Sequence, residues 1–188
     1  MTKLQELKSH LKRGKLYRRA ELEKLSKSVD RHLSELVSAG DLTKVGPGLY
    51  YSPKKNAFGI EPPTDQSLVE KYLDKKDFLI TSYNLYNRLG LGTTQLYNSN
   101  IVYNHHRSDE VILGNKKFLF RKKTSFPKKL TAEYLLVDLV NNLDQLAEDL
   151  PHLLEKIQLK VKHLDKKALE QNADKYGSAK TRKILAVA

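Results

Sequence analysis

Val29-Asp30-Arg31-His32-Leu33-Ser34-Glu35-Leu36-Val37-Ser38-Ala39-Gly40, continued by Asp41-Leu42-Thr43-Lys44-Val45-Gly46-Pro47-Gly48-Leu49-Tyr50-Tyr51, is the stretch whose reading decides the fold. In the first part, Val29, Leu33, Leu36 and Val37 recur at helical spacing. Ser26 or Ser28 supplies a cap in front and Gly40 a stop behind. In the second part the period falls to two across Asp41–Val45. Gly46-Pro47-Gly48 then makes a turn and Leu49-Tyr50-Tyr51 returns, the pattern of a β-hairpin.

Upstream, Leu4, Leu7 and Leu11 line one face of a helix that Gly14 stops. Lys15-Leu16-Tyr17 suits an extended strand, and Ala20–Leu25 a short helix with Leu22 and Leu25 inward. Helix, short helix, turn, helix, hairpin is the order of a winged helix-turn-helix. Downstream, Pro53 to Pro63 holds three prolines and a glycine and reads as a linker. Thr64–Lys75 reads as a helix, Asp77–Ile80 as a strand, and Ser82–Leu89 as a short helix. Ile101–Tyr103 and Glu110–Leu113 are strand-like, and Lys117–Arg121 pairs back across Gly114-Asn115. From Thr131 the pattern is helical, with Pro151, Asp165 and Ser178 at helix starts. The expected fold is α+β: a winged helix-turn-helix over residues 1–60, then a mixed domain over 61–188 ending in helices.

Bulk properties narrow the function. The 188 residues carry a net charge of +12, denser at the N-terminus, where residues 1–60 hold 13 Lys+Arg against 6 Asp+Glu. Such an excess suits a polyanionic partner. With no cysteine, disulfides and Cys-ligated zinc are excluded. The N-terminus lacks the apolar core of a signal peptide, and no apolar run approaches the ~20 residues of a bilayer span. A cytoplasmic protein without membrane contact is expected.

The major groove of duplex DNA is about 12 Å wide and admits one α-helix. The polar face of the third helix holds Ser28, Asp30, Arg31, His32, Glu35 and Ser38. Arg31 suits a bidentate bond to guanine, with Ser28 and His32 beside it in the half that meets base edges. Lys24 and Lys27 fall where the second helix meets the phosphate backbone. Lys15, Tyr17, Arg18 and Arg19 precede that helix and suit phosphate contacts, and Lys44 points from the wing. A small protein-binding domain with incidental charge, and an RNA-binding accessory protein, are the competing readings.

The same residues resemble a known family. Val29 to Leu42, followed by Val45-Gly46-Pro47-Gly48-Leu49-Tyr50, is similar to the winged-helix start of bacterial AbiE-type antitoxins of type IV toxin–antitoxin systems. Ile80 to Leu91 with Thr94-Gln95, the strand-turn-strand Ile112 to Phe118, and Ala173 to Leu185 resemble later segments of that family. Residues 141–165 lie outside the resemblance. It implies an operator-binding repressor of its own operon that counteracts a nucleotidyltransferase-like toxin.

No catalytic set is legible, so no enzyme and no cofactor are expected. His105-His106 with Asp109 is no metal site on this reading, because neighbours on a strand point to opposite faces. Gly90-Leu91-Gly92-Thr93-Thr94 lacks the lysine of a P-loop and reads as a helix stop. Tyr83, Tyr86, Tyr97 and Tyr103 suit base stacking, an interface anchor or an amphipathic core edge.

Overall fold

The computed structural model describes residues 2–91 and 96–186. Thr94-Gln95 and the end of the glycine-rich turn, Gly92-Thr93-Thr94, lie outside the described residues. The fold is α+β, in two compact units: residues 1–76 with 110–118, and residues 77–109 with 119–188. Among the described residues no helix is long and apolar enough to cross a membrane.

The first unit opens with α1 (Lys3–His10), β1 (Leu16–Arg18), α2 (Arg19–Glu23), α3 (Val29–Ser38), β2 (Thr43–Gly46) and β3 (Leu49–Tyr51). β3 sits between the others in an antiparallel sheet of order β1-β3-β2. Thr2 caps α1, its hydroxyl accepting from the Gln5 N–H. Gly40, at φ +74°, ends α3, and the Asp41 and Leu42 N–H groups both turn back to the Leu36 carbonyl. The core is leucine-rich: Leu7, Leu22, Val29, Leu33, Leu36 and Leu42 are almost fully buried. Each such side chain contributes roughly 1.5–3 kcal/mol relative to exposure. Val37, expected inward, is 37% exposed, because one residue beyond Leu36 is about 100° around the helix.

Residues 53–63, expected as a linker, contain a second hairpin, β4 (Lys54–Asn56) with β5 (Gly59–Glu61). Every residue of both strands is exposed, so no apolar alternation announces them. The turn is local chemistry: the Asn56 side-chain oxygen accepts the Phe58 N–H at 2.8 Å, and Gly59 takes φ +118°. α4 (Asp65–Leu73), capped by Thr64, completes the unit's helices. It is tied back by Lys71 on Glu21 at 2.7 Å and by Asp74 on Arg18. Residues 110–118 bring Leu113 and Gly114 to the β2–β3 turn, where the Gly114 N–H donates to the Val45 carbonyl. A Cβ on Gly46 would stand 2.7 Å from Leu113 Cδ2.

The second unit contains β6 (Phe78–Thr81), a 3₁₀ helix (Tyr83–Leu89), β7 (Ser99–Asn104) and the two ends, Asp109 and 119–122, of the hairpin β8 (Asp109–Leu113) and β9 (Lys116–Lys122). The sheet runs β6-β7-β9-β8, with Leu79 opposite Tyr103 and Thr81 opposite Ile101. Its helices are α5 (Ala132–Asn141), α6 (Leu150–Val161), α7 (Lys166–Tyr176) and α8 (Ala179–Ala186). Thr131 and Asp165 cap α5 and α7. α5 is buried on nearly all sides from Tyr134 to Val140. Asn141 joins it to the C-terminal helices: its amide donates to the Tyr176 carbonyl, and its oxygen accepts from the Ser178 N–H and the Thr181 hydroxyl.

Candidate nucleic-acid interface

α3 turns its apolar stripe into the core and leaves Lys27, Ser28, Asp30, Arg31, Ser34, Glu35 and Ser38 exposed along its start and outer face. The Arg31 side chain is 72% exposed, its Nε 3.6 Å from Glu35 Oε1. The face borders a cleft of about 600 Å³ lined by Lys3, Lys24, Lys27, Ser28, Arg31 and Glu35 among others. Lys3 escaped the sequence reading because α1 meets this cleft only through the tertiary fold. Lys15, Lys24, Lys27 and Lys44 are exposed, and none is in an ion pair among the described residues.

Four residues assigned to the interface from sequence are otherwise engaged. His32 is not on the wet face: it is 5% exposed, with Nδ1 2.8 Å from the Ser26 hydroxyl and Nε2 3.4 Å from the Arg31 guanidinium. The signal was present, because positions 29, 32, 33 and 36 form one helical stripe. Tyr17 is half-buried; its hydroxyl accepts from the Lys12 N–H at 2.7 Å and donates to the His10 carbonyl at 3.3 Å. It closes the loop after α1 rather than facing a phosphate. Arg18 pairs with Asp74, holding that carboxyl below its ordinary range. Arg19 grips Asp30 with two bonds, 2.7 and 2.8 Å, and reaches Glu23 at 3.0 Å. The hydrogen bond from Arg19 lowers the Asp30 pKa in turn.

The second unit hides a polar cluster of its own. Asp138, fully buried on α5, accepts from the Tyr86 hydroxyl at 2.8 Å on one oxygen. Its other oxygen accepts from the Tyr103 hydroxyl at 2.8 Å and from Lys123 Nζ at 3.2 Å. The Asn142 amide bonds both tyrosine oxygens, and Lys123 Nζ sits 3.6 Å over the Tyr103 ring. Burial drives the Tyr86, Tyr103 and Tyr134 phenols well above their ordinary pKa, and Asp138 adds to this. Tyr86 and Tyr103 are therefore core residues, whereas Tyr83 and Tyr97 meet edge to face at 5.2 Å and keep partial exposure. His105 places Nδ1 2.8 Å from the Lys123 carbonyl and Nε2 3.3 Å from Asp77. No group of three His, Cys, Asp or Glu able to hold a metal occurs among the described residues.

Residues 3–173 match the family described as a family of unknown function, DUF6088, and the chain belongs to that family. No curated protein and no solved structure matches the chain.

Proposed function

We propose that this member of the family binds duplex DNA through a winged helix-turn-helix and represses transcription by occupying its operator. The observation that carries the proposal is the chain order α1-β1-α2-α3-β2-β3 with the sheet order β1-β3-β2. In this reading α2 and α3 are the helix-turn-helix pair and β2–β3 is the wing. An α-helix with its side chains is about 10–12 Å across, which matches a groove about 12 Å wide, and the ten residues of α3 run about 15 Å along it. Arg31 reads base edges; Lys15, Lys24, Lys27 and Lys44 neutralise phosphates. Repression is steric: a helix lodged in the operator blocks initiation. A nucleotidyltransferase-like toxin as partner rests on the family resemblance alone and is no part of the proposal.

The test is a salt titration of binding to duplex DNA and to RNA of matched length. Several phosphate contacts on DNA give a steep fall of log affinity with log salt, about 0.9 per contact. Equal affinity for RNA supports the accessory reading instead, and a flat response on both supports a protein-binding module.

A further inference from the structure

Asp30 is an odd residue to find on a surface that meets phosphates. It sits in the first turn of α3 with its side chain 73% exposed, one position before Arg31. Arg19 holds it on both carboxylate oxygens, through Nε at 2.7 Å and a terminal nitrogen at 2.8 Å. The remaining terminal nitrogen of Arg19 reaches Glu23 of α2 at 3.0 Å, and its backbone N–H donates to the Gly48 carbonyl in the β2–β3 turn at 2.8 Å. One residue thus joins α2, α3 and the turn that precedes β3, and fixes the direction of the Asp30 carboxylate.

We infer that Asp30 is a specificity-determining hydrogen-bond acceptor on α3, and that Arg19 is the residue that positions it and cancels its charge. The inference rests on the duplex-DNA reading above. A carboxylate has about four acceptor sites, and Arg19 occupies two of them. Those left over suit the N4 amino group of cytosine, a donor that carboxylates read in the major groove. Guanine and thymine present acceptors there and repel a carboxylate; adenine sets its N7 acceptor beside its amino group. Without Arg19, Asp30 and Glu23 would both lose the cation that bonds them, since Arg31, the next residue after Asp30, leans towards Glu35. Arg19 therefore acts on DNA through Asp30 and is not itself a phosphate contact.

The experiment compares the full chain as wild type, Asp30→Ala, Arg19→Ala and the double variant. Each selects from a randomised duplex pool, and affinity is then read at several salt concentrations. The wild type should enrich a site with a cytosine preferred roughly tenfold or more, the scale of one good base contact. Asp30→Ala should erase that one preference and bind the pool no more weakly. Arg19→Ala should lose affinity several-fold on every sequence with its salt slope unchanged, and removing Asp30 as well should restore most of the loss. Persistence of the cytosine preference in Asp30→Ala overturns the inference. So does a fall of about one in salt slope for Arg19→Ala that the double variant does not relieve. A wild type that binds duplex without enriching any site overturns the inference and the operator reading with it, and leaves duplex binding alone standing. A wild type that binds no duplex overturns both. Arg19 and Asp30 both lie outside the buried core, with side chains 38% and 73% exposed, so each arm is compatible with folding.

Discussion

Asp138→Ala is the substitution with the largest consequence that the structure allows to be worked through. The wild-type carboxylate receives two tyrosine hydroxyls and one ammonium, and it lies at 0% exposure. Alanine leaves the Tyr86 and Tyr103 hydroxyls without an acceptor, and both residues are 1% exposed, beyond the reach of bulk water. An orphaned buried donor costs about 1–3 kcal/mol, so the pair costs about 2–6 kcal/mol. The Lys123 side chain is 28% exposed and can turn its charge towards solvent, which keeps its share small. A loss near 4 kcal/mol is expected, a large part of the 5–15 kcal/mol typical of a folded domain. With ten tyrosines and no tryptophan, tyrosine fluorescence in a urea titration reports the transition directly. The midpoint should fall with the slope unchanged. Asp138→Asn keeps one acceptor oxygen and should lose about half as much. An alanine variant within about 1 kcal/mol of wild type would refute the view that this cluster is a satisfied, water-excluded network.

Other expectations concern the interface and the core. Arg31→Ala should cost roughly 1–3 kcal/mol on the preferred sequence and relax preference there, as read by competition binding; equal loss on all sequences would remove its reading role. Lys24→Ala should weaken every sequence alike and flatten the salt slope by about one unit. Gly46→Ala should destabilise by roughly 1–3 kcal/mol in urea, since its methyl would meet Leu113, which is fully buried. Alkaline titration followed by tyrosinate absorbance should show Tyr86, Tyr103 and Tyr134 ionising only as the protein unfolds. Their folded pKa values are raised, so their contribution is whole below the unfolded value of about 10 and declines above it. Full, reversible ionisation of all ten tyrosines in the folded state would contradict this.

Features set by neighbours in sequence were the legible ones. α3 and the β2–β3 hairpin follow from a change of period at Gly40, and the caps at Asp165 and Ser178 from single side chains. The β4–β5 hairpin was illegible because its strands bury nothing and its turn depends on one Asn–backbone bond. His32 pairs a polar side chain with a position on the buried stripe of α3, and the position decides its place. The Arg19–Asp30 clamp joins residues eleven apart on two helices, and Asp138 draws partners from 52 and 35 positions upstream and from Lys123. Charge signs alone specify no such pairing. For Arg19, the same positive charge that suggested a phosphate contact is spent on a carboxylate.

The position of residues 110–118 within the first unit bears on how the chain matures during translation. Leu113 and Gly114, which meet Gly46 and Val45, are synthesised long after the sheet they pack against. At ~5–20 residues per second, the ribosome needs roughly two to eight seconds to pass from residue 76 to residue 118. During that interval the residues of the leucine core have been made, while the piece that packs on Gly46 and Val45 has not. Final consolidation of the first unit therefore awaits the emergence of a hairpin from the middle of the chain.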